Sequence, residues 1–161
     1  MPPDYTDSQL LTLHAALATA LQTFPPLCET DTVPLTKADG RVLAADLLAR
    51  LDSPPHDNSA MDGFALSVTD LAIGQPTRLP VIGRALAGHP HVNPVPSGKV
   101  VRITTGGWIP TGSDTVITQE QCRVAADGSW IEIEPTVAGK LKLGENIRRC
   151  GEDVQAGTVL L

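Results

Sequence analysis

The stretch Gly98-Lys-Val-Val-Arg-Ile-Thr-Thr-Gly-Gly-Trp-Ile-Pro-Thr-Gly112 places a run of Val, Ile and Thr directly before two glycines and a proline. Short β-branched runs bounded by Gly and Pro are typical of strands in irregular β structure. The same texture extends from Ser53 to Pro135. It predicts strands at Leu79–Ala87, Lys99–Thr104, Thr115–Thr118, Cys122–Ala125 and Trp130–Glu134, the last two joined as a hairpin by Asp127-Gly128.

The amino-terminal segment predicts a helix from Ser8 to Phe24. Thr6 and Gln9 have the spacing of a capping box, and Pro25-Pro26 would end the helix. We expect the apolar stripe of this helix to pack on the chain itself or on a second subunit. The stripe, with steps of three and four residues, consists of Leu10, Leu13, Leu17, Leu21 and Phe24.

In the segment Gly40–Arg50, apolar residues occupy both odd and even positions, so the periodicity does not distinguish a strand from a helical turn. Of the two, a strand is favoured. The 14 Gly and 14 Pro among 161 residues argue against a helical bundle. The predicted fold class is therefore α+β: mainly β, with an N-terminal helix and an irregular β subdomain.

Composition and charge exclude several classes of function. Hydrophobic residues make up 42% of the chain and charged residues 19%, which excludes a disordered chain. The net charge of −6 has the wrong sign for binding phosphate backbones over a broad face. Two Trp, two Phe and one Tyr are too few for a base-stacking surface. We therefore predict no nucleic-acid partner.

Cysteine usage and the amino terminus both indicate the cytoplasm. Cys28, Cys122 and Cys150 are widely spaced and form no Cys-x-x-Cys pair, so neither a disulfide framework nor a zinc knuckle is indicated. The first residues are acidic and polar where a signal peptide would be basic and then apolar, and no apolar run approaches about 18 residues. The prediction is a soluble cytoplasmic protein without membrane association.

The block Asp57-Asn-Ser-Ala-Met-Asp-Gly-Phe-Ala65 concentrates two carboxylates, an amide and a hydroxyl. Such a loop offers oxygen ligands to a cation or accepts hydrogen bonds from substrate N–H groups. The alternative is a turn whose polar side chains bond their own backbone. The residues alone leave both interpretations open, with the turn favoured.

Two further segments carry candidate anion-binding groups. Thr104-Thr-Gly-Gly107 places hydroxyls and N–H groups at a strand end, either as an anion-binding nest or as an ordinary hairpin turn; it lacks the ending of a P-loop. Arg148-Arg149 offers two guanidinium forks to an oxyanion, or forms exposed ion pairs with nearby acids. Cys150 beside the arginines could have a lowered thiol pKa, but no neighbouring histidine supports a nucleophile role.

Five motifs, in order along the chain, carry a family resemblance. They are Gly40-Arg-Val-Leu-Ala-x-Asp46, Asp57–Ala65, Arg102-Ile-x-Thr-Gly106, Gln119-Glu120 and Asn146-Ile-Arg-Arg-x-Gly-Glu-Asp153. Together they resemble the amino-terminal portion of the molybdopterin molybdenumtransferases, the MoeA and gephyrin E-domain family. The resemblance covers nearly the whole chain.

The resemblance implies insertion of molybdate into the dithiolene of adenylylated molybdopterin, with release of AMP and a requirement for Mg²⁺. It also implies an elongated, discontinuous linker and dimerisation domain (residues 1–52 and 136–161) with an inserted β subdomain (residues 53–135). The expected partners are a second copy of the chain, the pterin substrate and, upstream, molybdopterin adenylyltransferase. The alternative is a dimerisation or scaffolding module without a direct catalytic role.

The resemblance also implies site residues. Asp62, Thr105 and Asp153 match positions expected to be catalytic: Asp62 would orient the pterin or a hydrated cation, and Thr105 with the Gly106 N–H would donate to a phosphate or pterin group. The metal ligands are unassigned. The expected substrate-binding residues are Asp57, Ser59, Arg102, Gly106, Arg148 and Arg149, with Asp57 and Ser59 favoured for holding the loop.

Two departures from the family pattern affect these expectations. Gly107-Trp108 stands where Ala-Pro is more frequent, and Cys150 stands where a basic residue is frequent, so loop shape and charge are expected to differ. The resemblance implies that members of the family continue with a pterin-binding α/β domain, which supplies most of the cofactor and Mg²⁺ contacts, and with a further β domain. We therefore expect this chain to be a fragment that supplies one wall of a composite site in a dimer and does not catalyse the reaction unaided.

Overall fold

A computed structural model describes residues 11–24 and 29–161, which divide into two units, Met1–Ala45 and Asp46–Leu161. The first unit contains helix α1 (Leu13–Thr23). Thr12 has extended backbone, and its hydroxyl accepts a hydrogen bond from the Ala15 N–H at 3.2 Å, so Thr12 is the N-cap and the helix begins after it. The predicted start at Ser8 is therefore wrong.

Other parts of the helix prediction fall on residues 1–10 and 25–28. The proposed capping box at Thr6 and Gln9, the stripe residue Leu10 and the stop at Pro25-Pro26 all lie outside the described residues. Within the described part, no side chain of α1 is buried. No helix among the described residues is long and apolar enough to cross a membrane.

The second unit contains eight strands and one short helix. The helix α2 spans Pro135–Ala138. The strands are β1 (Asn58–Ser59), β2 (Gly63–Leu66), β3 (Thr77–Ala85), β4 (Val100–Ile103), β5 (Thr115–Thr118), β6 (Arg123–Val124), β7 (Trp130–Ile133) and β8 (Ile147–Arg148). Six strands form one sheet in the order β5-β2-β4-β3-β7-β6, in which only β3 and β4 are parallel, and β1 pairs with β8.

Strand β3 joins the two halves of the sheet. Its first residues, Thr77–Pro80, pair with β7, and its later residues, from Val81 to Ala85, pair with β4. The register shifts between Val81 and Gly83, which is a bulge at this point of the strand. The sheet therefore curls between its two halves.

Both faces of the middle of the sheet are buried. On β2, Phe64 and Leu66 contribute to one hydrophobic cluster, whereas Ala65 contributes to a second cluster with Val101 of β4. Because both faces are covered, β2 reads as a continuous apolar run without the alternation that marks a half-exposed strand. The buried side chains of the two clusters are aliphatic apart from Phe64.

The fold class predicted from sequence is confirmed: the structure is mainly β with an N-terminal helix. The predicted strands are confirmed, with ends that shift by one or two residues at most positions, and so is the hairpin across Asp127-Gly128. The segment Gly40–Arg50, for which a strand was favoured, contains no assigned strand; its extended part is the bridge between Leu48 and Val159, beside which Leu47 and Ala49 form backbone hydrogen bonds with residues 157–161. Strands β1, β2 and β8 were not predicted, and the domain boundaries at residues 52/53 and 135/136 stay predictions.

Gly63, the first residue of β2, lies close to the backbone of β5. A Cβ at this position would lie 1.9 Å from the carbonyl oxygen of Ile117 on β5, which is backbone and cannot rotate away. We predict that Gly63→Ala lowers the free energy of unfolding by at least about 1–3 kcal/mol, the usual cost of overpacking a core. Urea unfolding followed by circular dichroism measures the change.

Gly139→Ala is the matched control for this prediction. Gly139 ends α2 with a φ of −69°, and a Cβ there would meet only the Pro135 carbonyl oxygen, at 3.3 Å. Its expected effect is within about 0.5 kcal/mol. Equal unfolding midpoints for the two variants would contradict the prediction that a side chain at position 63 clashes with the backbone of β5.

Candidate functional site

Strand β1 lies between two segments that are distant in sequence. On one side the Ser59 N–H donates to the Gly107 carbonyl oxygen at 2.9 Å, and the Gly106 N–H donates to the Ser59 carbonyl oxygen at 2.9 Å. On the other side Ser59 pairs with Ile147 of β8, and the Ala60 N–H donates to the Asn146 carbonyl oxygen at 2.9 Å. We call residues 57–62, 104–109 and 146–153 together the β1 junction.

The β1 junction positions Asp62 against Thr105. Asp62 Oδ1 accepts hydrogen bonds from the Thr105 N–H at 2.7 Å and from Thr105 Oγ1 at 3.0 Å. These two bonds are the main cause of a lowered pKa of the exposed Asp62 carboxyl, to which the charge of Arg102 adds. Among the described residues, Asp62 Oδ2 accepts no hydrogen bond. Asp62 is therefore an oriented, ionised carboxylate with one oxygen open to solvent.

A second carboxylate lies beside Asp62. The turn Gln119–Gln121 follows β5, and the Gln119 N–H donates to the Asp62 carbonyl oxygen at 3.2 Å. The pKa of Glu120 is lowered, first by its own N–H and then by the Gln119 amide, while the Asp62 charge opposes the shift. Glu120 was not among the site residues predicted from sequence, although the Gln119-Glu120 motif was a signal for it.

The Thr-Thr-Gly-Gly turn does not form the anion-binding nest considered from sequence. The Thr105 N–H donates to Asp62, the Gly106 N–H to Ser59, and the Gly107 N–H to the Thr104 carbonyl oxygen at 2.8 Å. All three donors are engaged within the fold. The family resemblance implied that the Gly106 N–H donates to a substrate group. In the structure this N–H is not free to do so.

The departure at Gly107-Trp108 has a structural basis. A Cβ at Gly107 would lie 2.7 Å from the Ala85 carbonyl oxygen, so glycine permits the turn to pack on β3. The Trp108 ring lies against the His56 ring, with centroids 3.9 Å apart and planes inclined at 51°. The exposed side chain of Trp108 thus covers the start of the Asp57–Ala65 block.

Asp57 ties the first block to the last. Its Oδ1 accepts from the Cys150 N–H at 2.8 Å, and its Oδ2 accepts from Arg149 Nη1 at 2.6 Å. The Cys150 N–H is the main cause of a lowered pKa of Asp57; partial burial opposes the shift, and Arg149 reinforces it. The Asp57 side chain thus joins its loop to residues 149 and 150.

Both arginines of the terminal motif are neutralised by nearby acids. Arg148 forms an ion pair with Asp153, and its Nε lies 3.7 Å from Glu152 Oε1. Asp153 is the main cause of a raised pKa of Arg148. Because Arg149 pairs with Asp57, two guanidinium groups face three carboxylates. The alternative of an ion-pair cluster is therefore the one that the structure supports, rather than an open anion site.

Neither described cysteine has an activated thiol. Cys150 Sγ donates to Asp52 Oδ2 at 3.4 Å and to the Pro55 carbonyl oxygen at 3.3 Å. Desolvation, and then Asp52, raise the pKa of Cys150, so the lowered pKa considered from sequence is wrong. Burial raises the pKa of Cys122 to about 11. Cys28 lies outside the described residues.

Asn146 is a second residue whose role the sequence did not indicate. It has a φ of 57°, in the left-handed region that asparagine tolerates better than most residues. Its side-chain Nδ2 donates to the Val116 carbonyl oxygen at 2.8 Å, and the Val116 N–H donates to the Glu145 carbonyl oxygen at 3.0 Å. Asn146 therefore holds the residues before β8 on β5.

The described residues do not fit a resident Mg²⁺ ion. Mg²⁺ requires near-octahedral oxygen coordination, in which protein carboxylates supply part of the shell. In the described part of the chain, no group of three or more Asp, Glu, His or Cys side chains converges. Asp62 and Glu120 are only two acids, and the nearby Arg102 charge disfavours a cation.

The site residues predicted from sequence thus fall into two groups that β1 connects. Asp62 and Thr105 are in direct contact, with Arg102 close enough to act on the Asp62 charge. The second group consists of Asp57, Arg148, Arg149 and Asp153. Ser59 and Gly106 lie between the groups and bond each other through their backbones.

Comparison with known proteins identifies relatives for nearly the whole chain. The family model of the MoeA N-terminal region (domain I and II) matches residues 11–161. A molybdopterin molybdenumtransferase of Haemophilus influenzae is 40% identical over 152 residues, which are 94% of this chain and 36% of the relative. One from Synechococcus elongatus is 41% identical over 133 residues, 80% of this chain and 32% of the relative. The chain thus spans about a third of the length of these relatives.

The chain is also similar to a solved protein structure. The crystal structure of the molybdopterin biosynthesis moeA protein from Pyrococcus horikoshii OT3 matches with a TM-score of 0.78 and 35% sequence identity. The match covers 95% of this chain and 40% of that protein.

The lowered pKa of Asp57 predicts a pH-dependent contribution to stability. A group whose pKa is depressed by folding stabilises the fold above its ordinary value, here 3.8, and this contribution is lost as the pH falls towards the folded pKa. We predict that Asp57→Asn is less stable than the wild-type protein at pH 6 and that the difference between their urea midpoints shrinks below about pH 4.

Asp46→Asn is the control for this pH series. Asp46 is exposed, and the described residues provide its side chain with no hydrogen bond or ion pair. Its substitution should leave the midpoint unchanged at every pH. A midpoint difference for Asp57→Asn that is the same at pH 6 and pH 3 would contradict the assigned role of the carboxylate.

Proposed function

The chain belongs to the MoeA family, and from this membership we propose that it acts in molybdenum cofactor biosynthesis as the amino-terminal part of a molybdopterin molybdenumtransferase. In the proposed reaction, molybdate enters the dithiolene of adenylylated molybdopterin and AMP is released. The residues described above would supply one wall of a site completed by a second subunit. No step of this reaction is assigned to a metal bound by these residues.

The observation that supports this proposal most directly is the Asp62–Thr105 pair. An exposed aspartate normally samples several rotamers, but the two donors of Thr105 hold Asp62 Oδ1 at 2.7 and 3.0 Å. Both bonds favour the charged carboxylate and lower its pKa, so Asp62 is ionised at neutral pH. An oriented carboxylate is a good acceptor for the N–H groups of a pterin ring.

We assign to Asp62 Oδ2 the role of accepting a substrate N–H. Thr105 then acts by fixing Asp62 instead of donating to the substrate, because both of its donors are already engaged. Arg102 is exposed on β4, next to β2, and its charge favours the ionised form of Asp62. Fixing the acceptor before binding reduces the entropy that the complex must lose.

Arg148, Arg149 and Asp153 have a different role in this proposal. Each of their charged groups has a partner within the chain, and the pairs join residues 148–153 to Asp57. We therefore propose that these residues hold β8 beside β1, and that the phosphate groups of the substrate are bound by other residues of the complete enzyme. The site residues named from sequence thus separate into Asp62 as the substrate contact and the others as its support.

A second candidate function, a dimerisation module, is supported by helix α1. Leu13, Leu17 and Leu21 are 87%, 54% and 68% exposed, although they lie on one stripe of the helix. Burying three leucines against a partner would stabilise a complex by about 1.5–3 kcal/mol per side chain. We propose that a second copy of the chain covers this stripe, which is compatible with the enzyme function.

The test of the enzyme function is Asp62→Asn, introduced at the native locus so that the protein is otherwise as the organism makes it. The amide keeps the size of the side chain and an oxygen acceptor but removes the charge. We expect cellular molybdenum cofactor to fall at least tenfold, as for loss of about 1.4 kcal/mol or more of transition-state binding. Cofactor content is measured by its fluorescent oxidation product.

Asp127→Asn is a closely matched control. Asp127 Oδ1 also accepts from one N–H and one hydroxyl, those of Ser129, at 3.0 and 2.7 Å, and its pKa is likewise lowered. Asp127 lies in the turn of the β6–β7 hairpin, outside the β1 junction. Its substitution should leave the cofactor content unchanged. Wild-type cofactor content in the Asp62→Asn strain would refute the active-site role.

Dimerisation through α1 is tested by Leu21→Asp, with Gln22→Asp as the control. The two positions are adjacent in the last turn of the helix, so the added charge is equivalent, but only Leu21 lies on the apolar stripe. We expect the wild-type protein and Gln22→Asp to sediment as dimers and Leu21→Asp as a monomer. If the wild-type protein is monomeric at micromolar concentrations, the proposal for α1 fails.

A further inference from the structure

We propose that Ser59 is the positioning residue of the site: its hydroxyl and its two backbone groups hold Asp62 and Thr105 in register with each other. The consequence of this inference for catalysis rests on the proposed function, whereas its structural content is testable on the chain alone. Ser59 is 1% exposed and is hydrogen-bonded to Met61, which precedes Asp62, and to Gly106 and Gly107, which follow Thr105. It therefore acts through Asp62 rather than on a substrate.

The hydroxyl of Ser59 controls the approach to Asp62. Ser59 Oγ donates to the Met61 carbonyl oxygen at 2.6 Å and accepts from the Met61 N–H at 3.2 Å. A hydroxyl that bonds both backbone groups of the residue two positions on closes a tight turn. Since Asp62 follows Met61 directly, this turn sets the direction in which the Asp62 side chain leaves the backbone.

The backbone of Ser59 controls the position of Thr105. Ser59 donates to Gly107 and accepts from Gly106, both at 2.9 Å, so the turn that carries Thr105 is docked on the same residue. Gly106 has a φ of 77°, a conformation that glycine adopts without strain. One buried serine thus fixes the acceptor through its side chain and the donor through its main chain.

Other bonds near Asp62 define what the hydroxyl adds. The Asp62 carbonyl oxygen accepts from the Gln119 N–H at 3.2 Å, and the following residue, Gly63, is packed against Ile117. The backbone of Asp62 is therefore already anchored on its C-terminal side, independently of Ser59. Ala60 is held by the Asn146 carbonyl oxygen at 2.9 Å, so loss of the hydroxyl releases Met61 alone, the residue directly before Asp62, while β2 stays in the sheet. The expected result is displacement of Asp62 from Thr105 in a folded protein.

The substrate-binding role implied for Ser59 by the family resemblance does not fit this geometry. A side chain with 1% exposure has no surface with which to contact a substrate, and its hydroxyl already has a donor and an acceptor bond. Removing the hydroxyl would also leave the Met61 N–H and carbonyl oxygen without this partner. Loss of function in a Ser59 variant is therefore expected to arise at Asp62.

The test is Ser59→Ala in the chain, read by nuclear magnetic resonance at two positions. The first readout is the carboxyl-carbon titration of Asp62, which should move from its lowered pKa towards the ordinary value of 3.8 when Thr105 no longer donates. The second is amide hydrogen exchange of Thr105, which should accelerate at least tenfold. A role confined to stability would change the urea midpoint but neither local readout.

Ser129→Ala is the matched control for the hydroxyl. Ser129 Oγ donates to Asp127 Oδ1 at 2.7 Å in the β6–β7 turn, so its removal should shift the Asp127 titration and leave Asp62 and Thr105 unchanged. A folded Ser59→Ala protein with wild-type Asp62 titration and wild-type Thr105 exchange would overturn the proposal. If Ser59→Ala does not fold, Ser59→Cys replaces it as the test, because the thiol is a weaker donor of similar size. Ser59→Cys should show the same two changes to a smaller extent. Wild-type readouts in Ser59→Cys would overturn the proposal.

Cofactor content at the native locus separates this inference from the proposed function. If Asp62→Asn abolishes the cofactor, Ser59→Ala should lower it while Ser129→Ala does not, and wild-type content in Ser59→Ala would refute the catalytic consequence. If Asp62→Asn leaves the cofactor unchanged, the proposed function fails, but the two resonance readouts still decide whether Ser59 positions Asp62.

Discussion

Strand β2 is buried on both faces between β4 and β5, and the geometry of the site depends on this placement. Apolar side chains of β2 fill two separate clusters, so the strand cannot slip by one residue without exposing one set and burying another in the wrong cluster. Gly63, in close contact with the Ile117 carbonyl oxygen, fixes the point where the strand begins. Asp62 is the residue immediately before that point, and the core therefore determines where the site acid lies.

Hydrogen bonding within the β1 junction, more than net charge, determines what the site can recognise. In an acidic protein, Arg148 and Arg149 at first suggest an anion site, yet each is paired with carboxylates of the same junction. The N–H groups of the Thr105 turn are likewise consumed within the fold. What remains available is an acceptor, the second oxygen of Asp62, and the proposed function therefore assigns it to an N–H group and not to a phosphate.

Sequence patterns predicted those strands whose residues carry an intrinsic preference for extended structure. Thr115–Thr118 and the β6–β7 hairpin have β-branched residues or an Asp-Gly turn, and both were found where expected. Strand β2 was missed because Gly63 and Ala65 are poor strand formers, and the neighbouring polar residues favour a turn. In the opposite direction, Gly40–Arg50 is apolar enough for a strand, but only residues 47–49 pair with another segment, residues 157–161, and composition alone therefore overestimated the extent of the pairing.

The sequence by itself determined the fold class, most of the strands and the family, and it named the candidate site residues, because these follow from residue type and order along the chain. Only the tertiary structure decided which of those residues act on which. Asp62 and Thr105 are 43 positions apart, and Asp57 and Arg149 are 92 apart. Contacts at such separations depend on how β1 pairs on both sides, and no local preference encodes that pairing. For the same reason, the structure alone showed that the two Thr105 donors hold the Asp62 carboxylate and that the Gly106 N–H donates to the Ser59 carbonyl oxygen.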